Sequence, residues 1–266
     1  MIEGEIPNMF IAEKERQGLI KAIIKSGHDI IELDFPIELD NENQNHDFIF
    51  VRDSFISNQK GTAVILRAGE PKRRIENKII KKYLESIGLN IIQIPDKKKY
   101  KADGGEFYFC LKDNILFSGL QRNTLEGANF VAESLNVEKM IIIKGNGYHL
   151  DTFFTPVLGR NGSIVALIVC ISFLSEDSKN DLNSYANSIN IPILEIPPDD
   201  ALGIKNAIGN FAVNALPLPG VLIRPSNFSS PSIDKKLKAL KIDQIIAPTS
   251  QLQLSGGAIH CATNEL

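Results

Sequence analysis

One pattern, strand–strand–helix–strand, returns along this chain at intervals of roughly fifty residues, and it constrains the fold more than any single motif does. Apolar residues at helical spacing among charges run over 12–26 and stop at Gly27, ahead of the β-branched run Asp29-Ile30-Ile31-Glu32-Leu33. The second unit reads as strands Phe48-Ile49-Phe50-Val51 and Thr62-Ala63-Val64-Ile65-Leu66, a helix over 74–86 stopped by Gly88, and strand Asn90-Ile91-Ile92-Gln93-Ile94. A third has Glu106-Phe107-Tyr108-Phe109, Asn114-Ile115-Leu116-Phe117, a helix over 124–135 and Lys139-Met140-Ile141-Ile142-Ile143. The fourth has an apolar run over 163–171, a helix over 179–188 and Ile193-Leu194-Glu195-Ile196; the last has Phe211-Ala212-Val213, Val221-Leu222-Ile223, a helix over 232–240 and Gln244-Ile245-Ile246-Ala247. About five such units predict an α/β ring, a propeller-like arrangement of ββαβ modules around a central channel. Loops of a ring converge at one end, so polar residues at the unit junctions become the candidates: Asp47, Asp53, Arg67, Asp103, Arg122, His149 and Cys261.

Composition narrows the function classes. With 266 residues, 43% of them hydrophobic and 23% charged, the chain can bury a substantial core. A net charge of -3 supplies no field for nucleic acid or an anionic membrane, and Lys72-Arg73-Arg74 and Lys97-Lys98-Lys99 read as a solvated helix end and a loop. The first residues lack a basic segment followed by an apolar one, and no window approaches the ~18 apolar residues that span a bilayer. Three well-separated cysteines without a Cys-x-x-Cys pair make neither a disulfide framework nor a metal knuckle. The expectation is a cytoplasmic protein, without metal or cofactor, in a reducing compartment.

The cysteines divide. Cys110 and Cys170 lie inside apolar strands and read as core, whereas Cys261 follows the turn Gly256-Gly257 near the chain end, a position that can present a side chain at the mouth of a cavity. Asp103-Gly104-Gly105-Glu106 and Gly147-Tyr148-His149-Leu150-Asp151-Thr152 can supply the acid and base a nucleophilic thiol needs. Asp151 reads equally as a strand-end cap or a second substrate carboxylate. His28 and His46 read as surface residues, Arg73 and Arg74 as solvent-facing, and 206–210 as a loop over the channel.

Taken in order, Asn45-His46-Asp47-Phe48-Ile49-Phe50-Val51-Arg52-Asp53, Leu66-Arg67-Ala68-Gly69-Glu70, Asp103-Gly104-Gly105-Glu106, Gln121-Arg122-Asn123-Thr124-Leu125-Glu126-Gly127, His149-Leu150-Asp151-Thr152 and Gly256-Gly257-Ala258-Ile259-His260-Cys261 resemble the guanidino-group modifying enzymes, the pentein superfamily. Within it, the chain is most similar to the dimethylarginine dimethylaminohydrolases. The resemblance runs from about residue 40 to the end and implies a single catalytic domain over 1–266, a five-bladed α/β propeller acting on a small guanidino substrate as monomer or homodimer. It implies Cys261 as the nucleophile, His149 as the general acid and base, and Asp103 as the carboxylate that holds the guanidinium and orients the histidine. Asp47 and Asp53 match guanidinium-binding or supporting acids, and Arg67 and Arg122 match the residues that meet an α-carboxylate. The implied reaction is hydrolysis of arginine or a methylated arginine, through a covalent S-alkylthiouronium, to citrulline and an amine or ammonia.

Two departures bear on this. The family more often has glutamate at Asp103 and aspartate at Glu106, so Glu106 is expected to take over part of the substrate binding if Asp103 falls short. His260 is similar to the residue preceding the nucleophile in agmatine deiminases, and reads first as a solvated or supporting group. The alternatives are an amidinotransferase, which passes the amidine to an acceptor amine, and a non-catalytic guanidine-binding propeller.

Overall fold

The structure, a computed structural model, describes residues 6–40, 47–204 and 207–266; Asn45, His46 and Asn206 lie outside these. Four ββαβ units account for most of it. The first contains β1 (Phe55–Ser57), β2 (Thr62–Ile65), α2 (Arg74–Ser86) and β3 (Asn90–Gln93), after an N-terminal helix α1 (Met9–Lys25). The second contains β4 (Phe107–Cys110), β5 (Ile115–Gly119), α3 (Leu125–Ser134) and β6 (Lys139–Ile143). The third contains β7 (Phe154–Leu158), β8 (Ile164–Val169), α4 (Glu176–Ser188) and β9 (Ile193–Glu195). After the hairpin β10 (Gly203–Ile204) and β11 (Ala207–Ile208), the fourth has β12 (Leu216–Leu218), β13 (Val221–Arg224), α5 (Pro231–Ala239) and β14 (Asp243–Ile246), and a short helix α6 (Ser250–Gln253) follows.

Each unit has the same wiring: the first two strands pair antiparallel as a hairpin, and the helix carries the chain back so that the third pairs parallel with the second. The middle strand is therefore covered on both faces, which is why Ile164-Val165-Ala166-Leu167-Ile168-Val169 is apolar throughout instead of alternating. Every crossover ends its helix in the left-handed region, at Gly88, Asn136, Asn190 and Lys241, and α1 ends the same way at Gly27. Side chains cap the N-termini of α3 and α4: Thr124 accepts from the Gly127 amide and Ser175 from that of Ser178. Hydrophobic cores fill the seams between units; Ile56, Val64 and Leu66 of the first meet Phe107, Leu116, Ala128 and Val131 of the second.

The structure differs from the sequence reading at three places. Phe48-Ile49-Phe50-Val51 is a turn leading into a 3-10 helix (Val51–Ser54), and the first strand starts later, at Phe55. Phe211-Ala212-Val213 is likewise a turn before β12, although fully buried. The segment Asp29-Ile30-Ile31-Glu32-Leu33 carries no strand pairing, so four units, and not five, are formed among the described residues. Phe48, Phe50, Phe211, Ala212 and Val213 are buried by packing without joining a ladder, while Ile31 and Ile49 stay exposed; Leu19, Ala22 and Ile23 of α1, with Ile30 after it, pack on Leu216, Leu218 and Ile223 of the fourth unit. No helix among the described residues is long and apolar enough to cross a membrane.

Candidate active site

Three of the units are entered through a single 3-10 turn, and these turns carry the chemistry. Asp53 lies in the turn Val51–Ser54 before β1, Asp103 caps the turn Gly104–Glu106 before β4, and His149 caps the turn Leu150–Thr152 before β7. Asn214 stands two residues before β12, and Cys261 in the segment after α6. The turns pack directly on one another. A Cβ on Gly104 would lie 1.8 Å from the Arg52 carbonyl oxygen, and one on Gly105 would lie 2.8 Å from His149 Nδ1 and 3.3 Å from Asp151 Oδ2, so only glycine allows this approach. The Gly105 N–H, left bare by the missing side chain, donates to Asp53 Oδ1 at 3.0 Å.

Four acids surround one histidine. His149, 4% exposed, has Nδ1 3.9 Å from Asp53 Oδ1 and Nε2 3.6 Å from Asp103 Oδ2. Burial alone would discharge the ring, but Asp53 and Asp103 outweigh it and raise its pKa to about 9, so it is an imidazolium at neutral pH. Burial likewise opposes ionisation of Asp103; His149, the Gly69 N–H at 2.9 Å and Arg122 prevail and hold it at about 2. Arg122 Nε is 2.9 Å from Asp103 Oδ2, and its Nη1 donates to the Tyr148 hydroxyl at 2.6 Å.

The thiol sits beside a third acid. Cys261 Sγ is 3.3 Å from Asp151 Oδ2 and receives the Asn214 Nδ2–H at 3.2 Å. Asn214 also holds the neighbouring main chain, its Nδ2–H donating to the Asp151 carbonyl and its Oδ1 accepting from the Cys261 N–H at 3.4 Å. Burial, followed by the Asp151 and Asp53 charges, pushes the Cys261 thiol well above its ordinary range. Asp151 is fully buried; burial disfavours its charge, yet hydrogen bonding to His260 keeps its carboxyl below the usual range. Among the described residues, His149 Nε2 and Asp151 Oδ1 find no hydrogen-bonding partner. Both carry a requirement that a bound molecule can satisfy.

The sequence candidates fall into place unequally. Cys261, His149, Asp103 and Asp53 belong to one cluster of turns. Asp47 is exposed, its main-chain N–H bound to Glu76 and its carbonyl to Arg73, which places it at the rim instead of among the buried acids. Glu106 has another task than the substrate contact expected of it: fully buried, it accepts the Arg122 N–H at 2.6 Å and the Leu150 N–H at 2.9 Å, tying two unit entrances together. Burial raises its pKa to about 7. Arg67 is buried, its Nε 2.6 Å from Asp96 Oδ1, its Nη1 unpartnered, and its main chain bridged to Ala102 beside Asp103. Arg73 corrects the solvent-facing reading, because its Nη1 lies 2.6 Å from Asp53 Oδ2 and its Nη2 2.8 Å from Glu76. His260 is 1% exposed, which excludes the solvated reading. Asn214 escaped the sequence reading entirely; its place just ahead of a unit's first strand, as with Asp53, Asp103 and His149, was the available signal. Cys110 and Cys170 are core, as their apolar settings imply.

Comparison with solved structures agrees with the topology. The chain superposes on AgrE, in a ternary complex with ornithine and NAD+, with a TM-score of 0.80 and 20% identity over 99% of this chain and 36% of that one. It matches the N-terminal domain of ArgZ, an arginine dihydrolase from the ornithine-ammonia cycle in cyanobacteria, in a substrate-bound form, with a TM-score of 0.79 and 21% identity over 98% and 89% of the two chains. A dimethylarginine dimethylaminohydrolase, as an adduct with 4-chloro-2-hydroxymethylpyridine, gives 0.74 and 18% over 100% and 94%. This chain thus spans about a third of the AgrE chain but most of the isolated ArgZ domain. No family model matches it. The mixed α/β fold with four three-stranded sheets is the fold that this chain shares with these proteins.

Proposed function

We propose that this chain is a cysteine hydrolase acting at the guanidinium carbon of arginine or a methylated arginine. The observation that carries the reading is the buried Cys261 thiol lying 3.3 Å from a carboxylate whose other oxygen is unpartnered, across Gly105 from a protonated histidine. A pocket of buried acids around a neutral thiol is complementary to a planar cation rich in N–H donors. The fold shared with an arginine dihydrolase and a dimethylarginine dimethylaminohydrolase supports the same class of substrate.

In this reading the guanidinium donates to Asp151 Oδ1 and Asp103, and its charge offsets the repulsion that keeps Cys261 protonated at rest. The thiol releases its proton to solvent as the cation enters, His149 being already protonated, and the thiolate Sγ adds to the central carbon. The C–N bond then breaks as the His149 imidazolium protonates the departing nitrogen, leaving an S-alkylthiouronium. The neutral His149 next takes a proton from water; hydroxide adds to the same carbon and the C–S bond breaks, giving the ureido product and the free thiol. Asp103 leaves Arg122 for the guanidinium, and Arg122 and the unpartnered Arg67 Nη1 turn to the α-carboxylate. Glu106 stays a framework residue and Asp53 supports His149. We extend the proposal to the architecture: α1 and the extended segment after it complete, with the four units, a ring of five.

Incubation with arginine, monomethylarginine, dimethylarginine and agmatine, with assay of the ureido product and the released amine, tests the reading. Turnover of an amino-acid substrate supports it, and inertness toward all four contradicts it.

A further inference from the structure

His260 precedes Cys261, and its ring is held by a hydrogen bond and a stacking contact. Its Nδ1 is 2.8 Å from Asp151 Oδ2, the oxygen that Cys261 Sγ also approaches. Its plane stacks on Tyr108 with centroids 4.2 Å apart at 27°, and the Tyr108 hydroxyl is itself 3.0 Å from Thr155 Oγ1. Its carbonyl accepts the Arg52 Nε–H at 3.2 Å, and Arg52 is in turn paired with Glu265. The charged and titratable groups facing the His260–Asp151 pair are therefore Arg52, Glu265, Tyr108, His149 and Cys261. Burial and Arg52 lower the His260 pKa in spite of Asp151, so the ring is neutral and acts as a hydrogen-bond donor.

We propose that His260 is a positioning residue: its Nδ1–H fixes the Asp151 carboxylate so that Oδ2 faces Cys261 and Oδ1 is left open to the guanidinium. This rests on the guanidine reading of the pocket. A carboxylate buried without such a donor would rotate or take up a proton, and either change removes a guanidinium acceptor. His260 thus acts through Asp151, with no contact to the reacting carbon.

The test compares His260→Asn, whose side-chain amide can place a donor where Nδ1 was, with His260→Leu, which has none. In a Cys261→Ser background, arginine binding is measured by calorimetry from acidic to alkaline pH. His260→Leu is expected to weaken binding about tenfold or more at neutral pH and to move its acid limb upward, while His260→Asn stays within about threefold of the parent. Carbon-13 NMR of labelled aspartates, without ligand, should show the Asp151 midpoint rising in His260→Leu and restored in His260→Asn. Equal midpoints in all three proteins overturn the proposal. If the parent background binds no arginine, the guanidine reading fails, while the Asp151 titration still decides the role of His260. Should His260→Leu not fold, nitrogen-15 shifts of the parent decide: a neutral ring protonated at Nδ1 is required, and one protonated at Nε2 refutes it.

Discussion

Cys261 and His149 both rest protonated, and their chemistry follows from burial and from the acids around them. Asp53 and Asp103 raise His149 to about 9 against its burial, whereas burial, with Asp151 and Asp53, pushes the thiol of Cys261 upward, so the resting pair is neutral thiol and imidazolium. Cys261→Ser should abolish turnover yet keep arginine affinity within about threefold, because the hydroxyl is a far weaker nucleophile of similar size; calorimetry on the variant checks this, and full activity would remove Cys261 from the mechanism. Asp103→Asn removes one of the charges that hold the proton on His149. The alkaline limb of the rate profile, reporting loss of the imidazolium, should therefore move down from about 9, whereas an unmoved limb would dissociate Asp103 from His149. In the native protein His149 binds its proton more tightly than its usual 6.5 allows. Its contribution to stability is thus complete below that value and is lost as pH rises through about 9, a decline that urea titrations at several pH values should show.

The entry turn before the first strand of each unit is the element that makes the site. Its recurrence is why Asp53, Asp103 and His149 stood out as unit-junction candidates before any coordinates, whereas Cys261, in the segment after α6, was marked by the Gly256-Gly257 turn. Asp151 was not legible to the same degree, because an aspartate beside a strand end caps a turn or binds a ligand with the same sequence. Arg73 was misread because a helix-start arginine has no sequence mark that distinguishes solvent from a buried acid such as Asp53. The Gly104-Gly105 pair was read as part of a motif, but its reason is steric. Gly104→Ala would drive a methyl into the Arg52 carbonyl, and unfolding in urea should show a loss of about 1–3 kcal/mol, the usual cost of overpacking. A fully stable variant would mean that the turns are not packed as described. On the facing rim, Arg122→Ala should damage arginine turnover much more than agmatine turnover, since agmatine lacks the carboxylate; equal losses would contradict the clamp.

At the scale of the molecule, sequence and structure agree on repeated ββαβ units, of which four are formed among the described residues. The Asp29-Ile30-Ile31-Glu32-Leu33 run has strand-like composition, but composition cannot supply a neighbouring edge with which to pair. The units are held as one piece by contacts between entrances: Glu106 joins the second to the third, and Arg52 joins the first to the chain end through His260, Asn264 and Glu265. The central claim is that these packed turns make Cys261 a nucleophile toward a guanidinium carbon. Mass spectrometry of protein acid-quenched during turnover of arginine or dimethylarginine tests it most directly, with His149→Asn used to slow breakdown of the intermediate. The account predicts one and the same adduct on the Cys261 peptide from both substrates, arginine less ammonia, because the departing amine carries away the methyl groups. An unmodified Cys261 while ureido product accumulates, or an adduct that retains the methyl groups, would contradict it.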